Sequence, residues 1–434
     1  MIDLFPYVER ARAARGPSPE GRVHEVVGLL VEVVGLAAAT GERLTVKASA
    51  GPLVVEVIGF RKGRLLCAPL GSTAGVEPGA GVRRHLRGAA VAVGDALLGR
   101  VVDAFGSPID GGPPIFAAHR APLHRDPPPS FGRRPITEPF ETGVRAVDAL
   151  LPFGRGQRVG LFAGTGVGKS SLLGMMCRRA QADVVVVGLV GERGREVGDF
   201  VRHALGSGLS RSVVVAATSD AAPLTRVQGA LTATAIAEHF RDRGQSVLLV
   251  MDSVTRFAMA LREASLAAGE PPVQKGYTPS VFAALPKLLE RAGNSTGPGS
   301  ITAIYTVLVE GDDLSDPIAD AVRGILDGHV ILSRGLAERG LYPAVDVLRS
   351  VSRVMQDVTT ADHRKLAIHA RELMGGYRDA ADLVRIGAYV KGTDPRTDAA
   401  IAAQPRLEAL IRQDLEQPVG RADAIKALTA ALRP

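Results

Sequence analysis

The sequence predicts an α/β core built on a parallel sheet, with a small all-β barrel before it and a helical domain after it. Three observations carry that prediction. Short apolar runs from Val159 to Phe162, Val184 to Val190, Val213 to Ala217, Val247 to Met251 and Ile301 to Leu308 alternate with helical segments such as Lys169 to Ala180 and Thr225 to Phe240, the pattern of a sheet covered on both faces. Between Arg22 and about Val93, runs rich in Val and Leu, such as Val54 to Phe60 and Arg64 to Ala68, are separated by turn clusters at 71–75 and 78–81, which suits a barrel of short strands. Beyond Ser352 the strand signals fade, and residues 364–374, 379–386, 405–415 and 422–432 carry helical spacing.

In chain order, Leu4, Phe5, Val8 and Ala11 stand at helical spacing among arginines before a break at Gly16 and Pro17. This is either a short amphipathic helix that docks on a partner or a membrane surface, or a frayed terminus. A Pro/Gly-rich passage, with 111–114 and 127–129 at its densest, is expected to wrap the core as irregular chain. The division that follows is 1–21 for the amphipathic segment, 22–94 for the barrel, 95–355 for the α/β domain and 356–434 for the helical domain.

Composition bounds the function. Of 434 residues, 46% are hydrophobic and 22% charged, so a large core can form and a disordered chain is excluded. The two cysteines, Cys67 and Cys177, are too few for a disulfide scaffold or a zinc cluster. The apolar stretch Val26 to Thr40 is interrupted by Glu32 and too short to span a bilayer. The first twenty residues carry charges and no apolar core of a secretory signal, so a cytosolic protein is expected. The formal charge is +7, but arginine is spread evenly along the chain. With no Trp and 4% aromatics there is little material for stacking bases, and no nucleic-acid partner is expected.

The informative motif is Ala163-Gly164-Thr165-Gly166-Val167-Gly168-Lys169-Ser170, between a predicted strand and a predicted helix. This is a phosphate-binding loop, although Ala163 replaces the first glycine of the strict pattern. Glycines let the backbone curl so that N–H groups face a β-phosphate, Lys169 adds a full charge to the β/γ oxygens, and Ser170 offers a hydroxyl to Mg2+. ATP and Mg2+ are the cofactors expected. Asp252, closing the apolar run from Val247, is placed to hold the metal ion through water. Glu192, in Gly191-Glu-Arg193 directly after the run ending at Val190, lies at the sheet edge where open α/β folds bind ligands, and is the candidate for orienting water opposite the γ-phosphate. Arg193 could meet phosphate or pair with an acid such as Glu196.

Around this site the sequence resembles a known superfamily, that of the rotary ATPases and the type III export ATPases. Gly99–Asp110, Thr142–Asp148, the loop itself, Gly191–Arg193, Tyr342-Pro-Ala-Val-Asp346 and Ser350-Val-Ser-Arg353 resemble F-type ATP synthase subunits in order and spacing. The loop with its flanks, Leu161–Ser170, together with Gly269-Glu-Pro-Pro272, Gly276–Phe282, Leu285–Gly293 and 310–317, resembles the export ATPases of flagella and injectisomes, in which Ala163 is also the rule.

The resemblance implies a RecA-like P-loop NTPase core, a homohexamer with nucleotide bound between subunits, and several further roles. Arg353 matches an arginine finger reaching into a neighbour's site, and Tyr342 an adenine-stacking position. Residues 269–272 and 312–316 match loops that face a central pore entered by a stalk protein. The other partners implied are a peripheral regulator on the N-terminal segment, the export gate, chaperones and export substrates, with peripheral association at the inner membrane. Members that bind nucleotide without hydrolysing it well lack the glutamate seen here as Glu192, so a catalytic chain is expected. Residues 386–389, 391–395 and 55–60 look more flagellar than injectisome-like. An injectisome ATPase, a rotary ATP synthase catalytic subunit, a Rho-type RNA translocase and a nucleotide-gated scaffold remain as alternatives at this point.

Overall fold

A computed structural model describes residues 20–85, 88–309 and 313–433. The amphipathic segment predicted over 1–21 lies, but for its last two residues, outside the described residues, as do residues 310–312 of the second pore-loop motif.

Six strands, Gly21–Val27, Leu30–Val34, Arg43–Ala48, Gly51–Arg61, Arg64–Pro69 and Gly81–Arg84, close into a barrel by antiparallel pairing, the last strand returning to the first. Leu53, Val55 and Val57 alternate with less buried neighbours along one strand, the period that turns one face of a strand inward. They pack with Val31, Val33, Leu44 and Val46 as the barrel core.

The central sheet has the order Val351–Ser352, Gly328–Ile331, Arg158–Ala163, Ser300–Leu308, Ser246–Asp252, Val184–Val190, Ser212–Ala217 and Arg100–Asp103, with Gly293–Asn294 pairing antiparallel to one end of Ser300–Leu308. Strands 100–103 to 328–331 run parallel, and only the edge strand Val351–Ser352 reverses. Burial on both faces explains the unbroken apolar runs. Val185, Val187 and Leu189 point into a core shared with the helix Lys169–Arg179 and the C-terminal helices, while Val184, Val186 and Val190 point into one shared with helices Pro223–Asp242, Val254–Ala267 and Pro279–Leu289. At roughly 1.5–3 kcal/mol for each large apolar side chain buried, this two-faced core dominates the stability of the domain.

The Pro/Gly-rich passage does run over the core, with one strand of its own. His119–Pro122 pairs with Ala90–Val93, and Arg133 and Arg134 donate to the carbonyls of Glu290 and Pro298.

The C-terminal helices differ in extent from the prediction. Residues 364–374 and 379–386 belong to one helix, Ala361–Arg385, capped by the Thr360 hydroxyl. Gly375 and Gly376 suggest a break, since glycine costs about 1 kcal/mol in a helix. The helix continues through them because a Cβ on Gly376 would already stand 3.3 Å from the Cβ of Ala400, so the glycine lets the next helix pack closely. That helix, Pro395–Ile411, starts ten residues before the predicted 405. Asp394 accepts from the N–H groups of Arg396 and Thr397, and Pro395 sits in the first turn, where its missing N–H is harmless. The last helix is Arg421–Ala431. Among the described residues no helix is long and apolar enough to cross a membrane.

Candidate active site

The phosphate loop leaves the C-terminal end of Arg158–Ala163, a strand flanked on both sides by parallel neighbours, and enters the helix Lys169–Arg179. Gly166 and Gly168 hold φ of +77° and +88°, left-handed conformations that other residues adopt at a cost. Val167, 1% exposed, pins the loop to the core, while Thr165, Gly166 and Ser170 face outward. The exposed loop thus runs into a helix start that has no side-chain cap, where the first N–H groups lack intrahelical partners, the arrangement suited to seating a phosphate.

Three charged groups meet beside it. Lys169 Nζ lies 2.5 Å from Asp252 Oδ1 and 3.6 Å from Glu192 Oε1. The Thr306 hydroxyl donates to the same Asp252 oxygen at 2.7 Å. Burial works against the Lys169 ammonium, but the carboxylates of Asp252 and Glu192 outweigh it and hold its pKa above the ordinary value. Glu192 is pushed up to about 7, first by burial and then by the charge of Asp252, against the pull of Lys169. Its carboxyl also shares a hydrogen bond with Glu196, whose own pKa is lowered by it. A carboxyl raised toward neutrality beside the lysine of the loop suits a group that orients water and accepts its proton. The residues fit a magnesium–nucleotide complex as well. The exposed Ser170 hydroxyl, next to Lys169 in sequence, and the buried Asp252 carboxylate that contacts Lys169 are both hard oxygen donors.

Tyr342 lies over the loop. A Cβ on Gly168 would stand 3.2 Å from the tyrosine ring, and the residue is 41% exposed. Nearby, Ser170, Ser171, Phe200 and Leu415 help line a cavity of about 280 Å³. Arg193 is solvent-exposed, with its guanidinium 3.9 Å from Glu196. The sequence reading did not find Thr306, Ser171 or Leu415. Thr306 sits in a buried β-branched run where packing and hydrogen-bonding threonines look alike, and Leu415 reaches the loop only through the folding back of the C-terminal domain.

Arg353 is not part of this cluster. It follows the edge strand Val351–Ser352, and its N–H donates to the Asp327 carbonyl at 3.1 Å. Asp327 in turn bonds to Arg158, the first residue of the loop strand. Arg353 is therefore level with the start of a strand whose far end, about 16 Å away at 3.3 Å per residue, carries the phosphate loop. Among the described residues its exposed guanidinium donates to the Arg323 carbonyl, at 3.3 Å.

Comparison with known proteins gives this arrangement its family. The ATP synthase alpha/beta family, nucleotide-binding domain, matches residues 143–352, and the T3SS EscN ATPase C-terminal domain matches 359–430. The flagellum-specific ATP synthase of Pseudomonas aeruginosa is 50% identical over 99% of this chain and 96% of its own. The chain belongs to the family of flagellum-specific and type III secretion ATPases. The type 3 secretion system ATPase of Xanthomonas euvesicatoria is also 50% identical, over 93% of this chain and 91% of its own. Among solved structures, the assembled ATPase EscN from the type III secretion system of enteropathogenic E. coli superposes with a TM-score of 0.90 at 43% identity, covering 95% of this chain and all of that one. EscN has also been solved in complex with its central stalk EscO, with a TM-score of 0.88 at 42% identity, covering 95% of this chain and all of that one.

This export ATPase is thus a P-loop enzyme that binds and hydrolyses nucleotide. Two further segments named from the sequence lie side by side in it. Glu270 accepts from the Ser280 N–H and hydroxyl at 2.9 and 2.6 Å, which ties residues 269–272 to the start of the helix Pro279–Leu289. Lys275 stands 3.9 Å from both Asp313 and Asp316, and Asp316 caps the helix Pro317–Ile325. Each segment is thus anchored on a helix start.

Proposed function

We propose that the chain acts as a homohexamer that hydrolyses ATP with Mg2+ at clefts between subunits to energise type III export, of flagellar components in the first instance. The observation that carries this reading is the separation within one chain. Lys169, Glu192, Asp252 and Ser170 gather at one end of the strand Arg158–Ala163, and Arg353 sits at the other, out of its own loop's reach but exposed for a neighbour's. The assembled form of EscN supports a ring, and its complex with EscO supports a stalk in the pore, against the segments near 269–272 and 313–316.

In this reading the loop N–H groups and Lys169 take the β- and γ-phosphates. Lys169 exchanges its contact with Asp252 for phosphate oxygens. The Ser170 hydroxyl and, through water, the Asp252 carboxylate would hold Mg2+, which would supply positive charge against the phosphates. Glu192 orients a water and takes its proton as the water oxygen attacks the γ-phosphorus and the bond to the β–γ bridging oxygen breaks. The neighbour's Arg353 offsets the charge that spreads over the γ-oxygens, with Arg193 as a further cation at the cleft. Tyr342 stacks on adenine.

Cytoplasmic residence with peripheral association at the inner membrane, a regulator on residues 1–21, and contacts with the export gate, chaperones and substrates complete the proposal. Service in an injectisome is the second reading, favoured by the equal 50% identity to the Xanthomonas protein. Capture of the native chain from its own cells decides between them: flagellar basal-body components are expected with it, and injectisome components instead would transfer the assignment to the second machine. Arg353→Ala tests the catalytic reading, since loss of an arginine finger costs on the order of a thousandfold in turnover.

A further inference from the structure

We infer that Gln157 and Asp327 are positioning residues for Arg353, fixing from the start of the phosphate-loop strand the backbone that presents the guanidinium to the neighbour. The inference rests on the finger reading of Arg353 given above and deepens it. The strand that delivers Arg353 is only two residues long and pairs only Gly328 with Ser352 and His329 with Val351. Among the described residues the guanidinium is tethered through the Arg323 carbonyl at 3.3 Å. So short an edge strand holds an arginine loosely unless other groups fix it.

Those groups come from residues 157 and 158. The Gln157 side chain, fully buried, donates from Nε2 to the Asp327 carbonyl at 2.9 Å and to the Ser352 hydroxyl oxygen at 3.4 Å, while its Oε1 accepts from the Gly154 N–H at 2.9 Å. Ser352 passes its own proton on to the Pro152 carbonyl at 2.7 Å. The carbonyl of Asp327 is the one that receives the Arg353 N–H, at 3.1 Å.

Asp327 is held from its other side by Arg158, whose Nε and Nη2 meet the carboxylate at 3.0 Å each and whose backbone N–H adds a third contact at 3.1 Å. This is the bidentate geometry in which arginine orients a carboxylate best. Gly328 permits the approach, because a Cβ there would stand 2.6 Å from the Val351 carbonyl oxygen and 3.1 Å from Gln157 Nε2. The strand Arg158–Ala163 therefore begins at the anchor of the finger and ends at the phosphate loop.

The test uses the full-length assembled enzyme with Gln157→Leu, which keeps the volume and removes the amide, and Asp327→Asn, which keeps the carbonyl and weakens the arginine clamp. Small displacements of a catalytic group cost up to about a hundredfold, so turnover is expected to fall roughly tenfold, with KM and the affinity for a fluorescent ATP analogue within about twofold of wild type. On an Arg353→Ala background, followed by single-turnover release of labelled phosphate, neither substitution should cost anything further, because there is no finger left to misplace. A tenfold further loss on that background, or a matching loss of analogue affinity, would overturn the inference. If Arg353→Ala by itself leaves turnover intact, the finger reading falls. If Arg353→Ala abolishes turnover while Gln157→Leu and Asp327→Asn are silent, the finger stands and only the positioning claim is lost. Should Gln157→Leu fail to fold, Asp327→Asn carries the same comparison.

Discussion

Nζ of Lys169, which opens the helix after the strand Arg158–Ala163, lies 2.5 Å from Oδ1 of Asp252, which closes the strand Ser246–Asp252, although those two strands are not neighbours and Ser300–Leu308 runs between them. The lysine is held in the site by the acid beside which phosphate and metal are to bind, so it is already oriented before nucleotide arrives. Lys169→Ala should weaken binding of a fluorescent ATP analogue roughly ten- to a hundredfold, the worth of a charge-assisted contact of about 1.5–3 kcal/mol, with the circular dichroism spectrum unchanged. Unaltered affinity would remove the lysine from phosphate binding.

Glu192, just past the C-terminal end of the strand Val184–Val190, and Arg353, level with the start of Arg158–Ala163, stand at opposite edges of the parallel sheet and should act in different copies of the chain. Glu192→Gln is expected to bind nucleotide normally and lose on the order of a hundred- to ten-thousandfold in phosphate release, the range for a positioned base. Arg353→Ala should lose as much. Mixing the two inactive proteins before assembly should restore part of the activity, since a Glu192→Gln copy supplies an intact arginine to an Arg353→Ala copy that retains its glutamate. Mixed assemblies as dead as either parent would place both groups in the same chain's site.

The Tyr342 ring lies beside Gly168 and the residue is 41% exposed, which suits stacking on a base and makes no use of the hydroxyl. Tyr342→Phe should leave the KM for ATP within about twofold, whereas Tyr342→Ala should raise it roughly five- to a hundredfold, the value of about 1–3 kcal/mol for one aromatic–base stack. Steady-state kinetics at varied ATP decide, and equal behaviour of the two variants would argue against stacking.

His363 joins the C-terminal domain to the core, its Nε2 lying 2.8 Å from the Ala149 carbonyl with the ring buried. Burial is the main cause that lowers its pKa below 6.5, with Arg421 adding to it against the hydrogen bond to Ala149. The unfolded chain then binds this proton more readily than the folded one. The histidine's contribution to stability is complete above the unfolded pKa and is lost as the pH falls from about 6.5 toward the lower folded value. Thermal unfolding between pH 7.5 and 5.5 should show a smaller loss of melting temperature for His363→Gln than for wild type. An equal loss in both would mean that His363 titrates alike in the two states.

Much of this could be read from the chain before any fold was seen. The alternation of buried runs and helices gave the α/β core because strands covered on both faces need continuous apolar sequence. The loop from Ala163 to Ser170 is local, and its glycines, lysine and hydroxyl act within eight residues, so spacing alone revealed it. Asp252 and Glu192 were found because both directly follow strand signals. The helix Ala361–Arg385 reads as two segments in the sequence because Gly375 and Gly376 look like a break until the packing against Ala400 is known.

Sequence by itself therefore determined the local chemistry, namely where phosphate can sit and which acid, lysine and hydroxyl accompany it, since those properties depend on residues a few positions apart or at strand ends. Tertiary structure alone decided which distant side chains meet: Thr306 on Asp252, Tyr342 over Gly168, and Gln157 with Asp327 behind Arg353. The reason is physical. Strand order and the direction of each edge are settled by burial of the whole sheet, and no short stretch of sequence contains that information.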